Sequence, residues 1–161
     1  MGNNAETGFP FQPGPEERTR AINRCQQLAR QWGLTLPAVE PIVLDFGLGR
    51  FREIGEAEFW VANEEQAGYC GKFLLVDDGQ TCPEHYHRRK HETFFVLEGQ
   101  VSMVVNGRET LLRQGDTLAM PPGWKHRFTG LGPALILEVS MPSTQGDNFF
   151  SDPRIGNGGI I

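Results

Sequence analysis

The sequence predicts an all-β domain, a sandwich or a closed barrel, with one helix on its outside. Three observations carry this. Short runs of strand-forming residues recur from Ile42 to Met141 at roughly even spacing, with Gly, Pro and Asp turns between them. Asn106-Gly107 stands between two such runs, the strongest two-residue hairpin signal a sequence can carry. Only one stretch, residues 15–32, has the three- and four-residue apolar step of a helix.

Residues 1–14 are rich in Gly, Pro and Asn without a period, and are expected to form a flexible or draped arm. Pro15 suits the first helical position, and Glu16 and Glu17 complement the positive end of the helix dipole. Ala21, Ile22, Cys25, Leu28, Ala29 and Trp32 form one apolar face, and Gly33 is a fitting stop. That face needs a sheet or a partner subunit to cover it. The strand candidates follow: Ile42–Phe46, Glu58–Ala62, Cys70–Val76, Thr93–Leu97, Val101–Val105, Thr110–Leu112, Thr117–Met120, Arg127–Phe128 and Ala134–Met141. Residues 15–155 are read as one domain, and residues 156–161 as a tail.

At 161 residues the chain can bury a real core without staples, and 39% hydrophobic content is ordinary for a globular protein. A net charge of −5 argues against a nucleic-acid surface, and Arg88-Arg89-Lys90 is too short a basic run to reverse that balance. Cys25, Cys70 and Cys82 make an odd count with no CxxC pair. No apolar run approaches the ~20 residues of a membrane span. Met1-Gly2 invites myristoylation, but Glu6 occupies the position where that motif requires Ser or Thr. The expected location is the cytoplasm.

All four histidines lie in two short stretches, Gly79–Gly99 and Gly115–Gly130. His85, His87, Glu92 and His126 together supply three imidazoles and a carboxylate, a donor set for first-row divalent metals with positions left for water or substrate. On an extended chain His85 and His87 share a face, as do Lys90 and Glu92, but the two pairs differ in parity. A bend is therefore required between them, and Arg88-Arg89 is where it can occur. His91 then points away. Pro121-Pro122-Gly123 is a rigid turn able to aim His126 back into the fold.

Both stretches resemble the motifs of the cupin family. The first runs Gly79, five residues, His85, one, His87, four, Glu92, six, Gly99; the second runs Gly115, five, Pro121, one, Gly123, two, His126, three, Gly130. The family closes the second motif with Asn, so Gly130 is a departure. The resemblance implies a cupin-type small β-barrel, or jelly roll, with one metal ion held inside by His85, His87, Glu92 and His126. Further segments (Leu44–Gly55, Tyr69–His87, Pro121–Phe128 and Phe149–Gly156) are similar to the cupin-type D-lyxose isomerases, which interconvert an aldose and its ketose with a divalent metal, commonly manganese. The link from Glu92 to His126 is shorter than in that family, which touches the sugar pocket more than the fold.

What the resemblance implies is a metal-dependent aldose–ketose isomerase acting on a small sugar, with manganese expected and Fe, Co, Ni or Zn open. A homodimer is the implied assembly. Lys90, between ligands, would share their inward face, and burial beside a cation would favour its neutral amine. Glu138 interrupts the apolar run Ala134–Met141 and shares strand parity with Ile136 and Ser140; facing the cavity it is the candidate general base, facing outward it is merely solvated. Lys72, Asp152 and Arg154 are candidate substrate-binding residues. Trp60, Phe94 and Trp124 read as packing, and Cys82 as a small buried filler. Two other functions use the same motifs: an iron-dependent dioxygenase of the cupin type, and a non-catalytic cupin that senses or stores a small molecule.

Overall fold

The computed structural model describes residues 11–156. Among these described residues one helix, α1 (Pro15–Trp32), precedes eleven strands: β1 (Ile42–Leu44), β2 (Glu56–Glu64), β3 (Tyr69–Val76), β4 (Thr81–Tyr86), β5 (Glu92–Glu98), β6 (Gln100–Val105), β7 (Arg108–Arg113), β8 (Thr117–Met120), β9 (His126–Gly130), β10 (Ala134–Ser140) and β11 (Phe149–Phe150). They form a six-stranded sheet in the order β1-β2-β3-β10-β5-β8 and a five-stranded sheet in the order β11-β4-β9-β6-β7. Pairing within each is antiparallel, and a parallel bridge between Ile54 and Thr81 joins the sheets at one corner. This is the expected jelly roll.

Helix α1 begins and ends where its sequence signals stand. Gly33 takes the left-handed conformation at φ 69°, and the N–H groups of Gly33 and Leu34 cap the last turn through Arg30 and Ala29. Its buried residues, Ala21, Cys25, Leu28 and Ala29, lie over the outer face of the six-stranded sheet. Cys25 and Leu28 pack there with Ala57, Phe59, Leu75 and Leu135. The Arg24 guanidinium donates two hydrogen bonds to Asp77, at 2.8 and 3.1 Å, fixing the helix along the sheet. Of the two covers the sequence allowed for this face, the chain supplies its own sheet. The helix therefore has little apolar surface left for a subunit interface.

Covered on both sides, β2, β3 and β10 bury alternate residues in two different cores. Outward-facing Phe59, Leu75 and Leu135 meet the helix, while inward-facing Leu74, Val76 and Ile136 join Phe94, Val96, Val101, Met103 and Phe128 between the sheets. Each such side chain is worth about 1.5–3 kcal/mol of transfer free energy. Asn106 and Gly107 both have positive φ, 49° and 79°, and close the β6–β7 hairpin as expected.

Of the flexible or draped arm the sequence allowed, residues 11–14 are draped: Phe11 packs on the inter-sheet core and its carbonyl accepts the Asp45 N–H, while Pro13 is buried. Residues 1–10 and 157–161, the rest of the expected arm and tail, lie outside the described residues. Strands β4 and β11 were not among the candidates. Strand β4 contains Pro83, which cannot donate to a ladder; its pairing with β9 slips between Cys82 and His85, placing the proline in a bulge. Strand β11 has only two residues, too few to show a period.

The Gly130 departure has a steric cause. A Cβ at Gly130 would lie 2.4 Å from the Asp77 carbonyl oxygen, because Gly79 and Gln80 cross it there with two backbone hydrogen bonds. Asn has no room at this crossing.

Candidate metal centre

The inner faces of both sheets are apolar toward one end and polar toward the other. Across the six-stranded sheet, Trp60, Lys72, Glu138 and Phe94 occupy directly opposed positions on β2, β3, β10 and β5, so their side chains share one face. Glu92 opposes Ser140 on the same side of the barrel. From the facing sheet His85 and His126 are opposed on β4 and β9. All of these polar groups are buried except Trp60, which is half-buried. Glu138 thus faces the cavity, as strand parity with Ile136 and Ser140 allowed.

Metal-binding geometry is built into the three imidazoles. Their ring nitrogens converge so that one from each lies within 4.8 Å of the others. Nitrogens bound at about 2.1 Å to one ion sit roughly 3–4 Å apart, so a small contraction closes the set. In each ring Nδ1 meets a backbone carbonyl: His85 donates to Pro83 at 2.8 Å, His87 to Asp147 at 2.9 Å and His126 to Trp124 at 3.0 Å. A carbonyl only accepts, so Nδ1 carries the proton and Nε2 presents a bare lone pair to the centre. The proline bulge of β4 provides the first of these carbonyls, which is how a residue unsuited to a strand comes to aim a ligand.

Glu92 reaches into the same space. Its Oε1 lies 3.2 Å from His87 Nε2 and its Oε2 lies 3.2 Å from His126 Nε2. Neither nitrogen, nor Glu92 Oε2, makes a hydrogen bond, although all three atoms are buried. Lone pairs facing lone pairs in a dry site repel unless a cation lies among them. The residues fit a divalent ion. Burial pushes the His85 imidazolium value well below 6.5, with His126 and His87 adding to it, so the ring stays neutral. Burial opposes ionisation of Glu92, but the Lys90 ammonium 2.8 Å from Oε1 outweighs it and holds the carboxyl well below the usual range. A neutral imidazole and an ionised carboxylate are the forms that can hold a cation.

Beside the imidazoles runs an alternating chain of charges. Lys90 Nζ donates to Glu138 Oε1 at 2.6 Å and stands 2.8 Å from Glu92 Oε1. Ser140 Oγ also donates to Glu138 Oε1, at 2.8 Å. On the other side Lys72 Nζ lies 3.6 Å from Glu138 Oε2 and donates to Glu58 Oε1 at 3.1 Å. The neutral amine expected for Lys90 depends on a cation beside it, because the protein groups alone favour the ammonium. Burial lowers its affinity for a proton, but Glu138 and Glu92 outweigh burial and raise it above the ordinary lysine value. An ion bound by Glu92 would pull in the opposite direction.

Four carboxyl groups, Glu56, Glu58, Glu92 and Glu138, line a cavity with two ammonium groups, Lys72 and Lys90. Its empty volume is about 460 Å³ including the mouth. At Glu56 burial and then Glu58 push the carboxyl well above the carboxylate range, so it keeps its proton. Cys82 is a buried neighbour whose thiol is raised by burial and Glu56, the inert filler expected of it.

Glu56 and Glu58 were missed by sequence reasoning. An alternating Glu56-Ala57-Glu58-Phe59 strand reads as polar-out, apolar-in, and only the helix on its far side turns the acids inward. Asp152 and Arg154 stand apart from the cavity: Arg154 is exposed, and its guanidinium and backbone N–H together donate four hydrogen bonds to the Asp152 carboxylate, so the pair is occupied with itself. His91 is exposed, as parity required. Phe94 packs in the core as expected, whereas Trp124 is 44% exposed and Trp60 instead donates its Nε1–H to Glu58 at 2.7 Å.

Two family models match the chain, the cupin domain over residues 72–140 and D-lyxose isomerase over residues 42–96. The D-lyxose ketol-isomerase of Cohnella laeviribosi is 31% identical, over 86% of this chain and 92% of that protein. A D-lyxose/D-mannose isomerase of Thermosediminibacter oceani is also 31% identical, over 70% of this chain and 77% of its own length. Among solved structures, Cellulomonas parahominis L-ribose isomerase with L-ribose superposes with a TM-score of 0.73 at 20% identity, covering 92% of this chain and 97% of that one. At that identity the superposition speaks for the fold alone.

Proposed function

We propose, from the premise that this chain belongs to the D-lyxose isomerase family of cupins, that it interconverts an aldose and its ketose at the His85–His87–Glu92–His126 centre. The observation that carries the reading is the set of three Nε2 lone pairs aimed at one point beside a carboxylate, with a lysine-held carboxylate next to it. The substrate class is a free pentose or hexose of the kind the relatives are named for, with D-lyxose first.

His85, His87, Glu92 and His126 would hold a divalent ion, which would supply Lewis-acid polarisation of the sugar's carbonyl and hydroxyl. The rest falls to the chain. In aldose-to-ketose isomerisation a proton leaves C2 and one is added at C1, while the O2 proton is passed to O1. Glu138 is the base for the carbon proton. Its carboxylate is buried, oriented through Oε1 by Lys90 and Ser140, and still has Oε2 toward Lys72. Lys90 is the donor to substrate oxygen, since its ammonium already spans Glu138 and Glu92. Lys72 would bind a hydroxyl farther along the sugar. The dry walls, Phe94, Phe128 and Phe150, exclude water from the exchange.

Manganese is the ion proposed, because the nitrogen-and-carboxylate set accepts it and the cavity holds more carboxyls than ammonium groups. A homodimer and a cytoplasmic location belong to the same proposal. With the helix face already covered, the exposed Val61, Tyr69, Val139 and Met141, on or just beyond β2, β3 and β10, offer the apolar surface for it. Among the described residues no helix is long and apolar enough to cross a membrane.

The test is anaerobic. Metal-free protein is reloaded with Mn(II) or Fe(II) and given D-lyxose, D-mannose or L-ribose, and ketose is measured. Ketose formation without oxygen supports the isomerase. Oxygen uptake with a phenolic substrate and no ketose from any sugar would replace it with a dioxygenase.

A further inference from the structure

Asp147, in the segment between β10 and β11, touches the metal centre at two levels, and no motif in the chain points to it. It is 4% exposed. Its backbone carbonyl accepts the Nδ1–H of His87 at 2.9 Å. Its carboxylate accepts three consecutive backbone N–H groups, from Arg88 at 3.0 Å on Oδ1 and from Arg89 at 3.3 Å and Lys90 at 3.1 Å on Oδ2. Those three residues are the bend that the parity of the ligand motif demands between His87 and Glu92.

Successive N–H groups turned to one side form an anion-binding concavity, and a buried one left empty would cost several hydrogen bonds. An extended strand points alternate N–H groups in opposite directions, so Asp147 holds a turn that a free chain would not keep. That turn carries Lys90 to its 2.6 Å contact with Glu138 and delivers Glu92 between His87 and His126.

We propose that Asp147 is a positioning residue: its carboxylate locks the 88–90 bend, and through it sets where Lys90 and Glu92 stand in the metal centre. The role of Lys90 rests on the isomerase reading; the effect on metal binding does not. Removing the carboxylate frees the bend to straighten, which turns Lys90 and Glu92 away from the face they share with the histidines. The nearby Thr144 hydroxyl, which accepts from Arg89 Nη2 at 2.9 Å, belongs to the same segment without entering the bend.

The full chain is prepared as wild type, Asp147→Ala, Asp147→Asn and Thr144→Ala, and each is titrated with Co(II) without sugar while the visible spectrum is recorded. Asp147→Ala is expected to weaken Co(II) binding about 10–100-fold and change the spectrum, as loss of a partner behind the ligands does. Asp147→Asn, which keeps one accepting oxygen but turns an N–H₂ toward the other donors, should fall between. Thr144→Ala should match wild type. With a sugar substrate the same order is expected in kcat, with little change in KM. Amide proton shifts of Arg88, Arg89 and Lys90 should move in the metal-free Asp147→Asn protein, which covers the case in which the alanine variant does not fold. Wild-type Co(II) affinity, spectrum and kcat in both Asp147 variants, whatever their melting temperatures, would overturn the proposal. Weakened Co(II) binding in a protein that isomerises no sugar would keep the clamp and discard the isomerase.

Discussion

The two ends of the barrel interior are made by the same strands and obey different physics. Toward one end the inward residues of β3, β5 and β10 are Leu74, Val76, Val96 and Ile136; toward the other they are Lys72, Glu92 and Glu138. Along β10 the change takes one step of two residues, from Ile136 to Glu138. The apolar end gains free energy by leaving water. The charged end loses it, because buried ion pairs seldom recover their desolvation cost even when well bonded. A fold that keeps two lysines and four glutamates inside is using stability drawn from its other half to hold chemistry in place.

Substitutions at the two ends should therefore fail differently. The largest effect is expected at the ligands: His126→Ala should lose the ion and all measurable turnover, read by metal analysis of the purified protein, while the chain remains folded. Glu138→Gln keeps the shape of the side chain and removes the base, so kcat should fall about 10²–10⁴-fold with metal content unchanged. Ile136→Ala, one step along the same strand, should reverse the pattern. It should cost about 2–5 kcal/mol in denaturant unfolding and leave kcat per folded molecule close to wild type. If Ile136→Ala abolished turnover while Glu138→Gln did not, the division between the two ends would be wrong.

The smallest effect is the most diagnostic of the charged end. Glu56 has its folded-state value raised above the ordinary 4.5 by burial and then by Glu58. A raised value means a contribution fully present below about 4.5 and lost as pH climbs through the folded value. Wild type should lose stability toward alkaline pH for this reason, and Glu56→Gln, which mimics the protonated acid, should not. The two should unfold within about 1 kcal/mol of each other in acid. The gap in melting temperature, mutant minus wild type, should widen as pH rises.

Local rules settled a good part of this protein before any tertiary structure. Spacing singled out His85, His87, His126 and Glu92 as candidate ligands, and the fold brings these four side chains together. Helical period and a terminal glycine bounded α1, and parity put Glu138 with Ile136 and Ser140. What stayed hidden depended on contacts between segments distant in sequence. Pro83 disqualified β4 by propensity, yet its bulge against β9 is what aims His85. Glu56 and Glu58 looked solvated until α1 covered the opposite face of their strand. Asp147, buried beneath the 88–90 bend, carries no local mark because its partners are backbone N–H groups some 57 to 59 residues away.

The sequence by itself determined the period of each element, the donor atoms and the order in which they arrive. Only tertiary structure decided which face of each strand lies inside, which carbonyl orients each imidazole, and which charges meet. Period and chemistry are properties of neighbours along the chain. Inside and outside are set by what packs against each face, and for β2, β3 and β10 that choice was made by a helix and a second sheet.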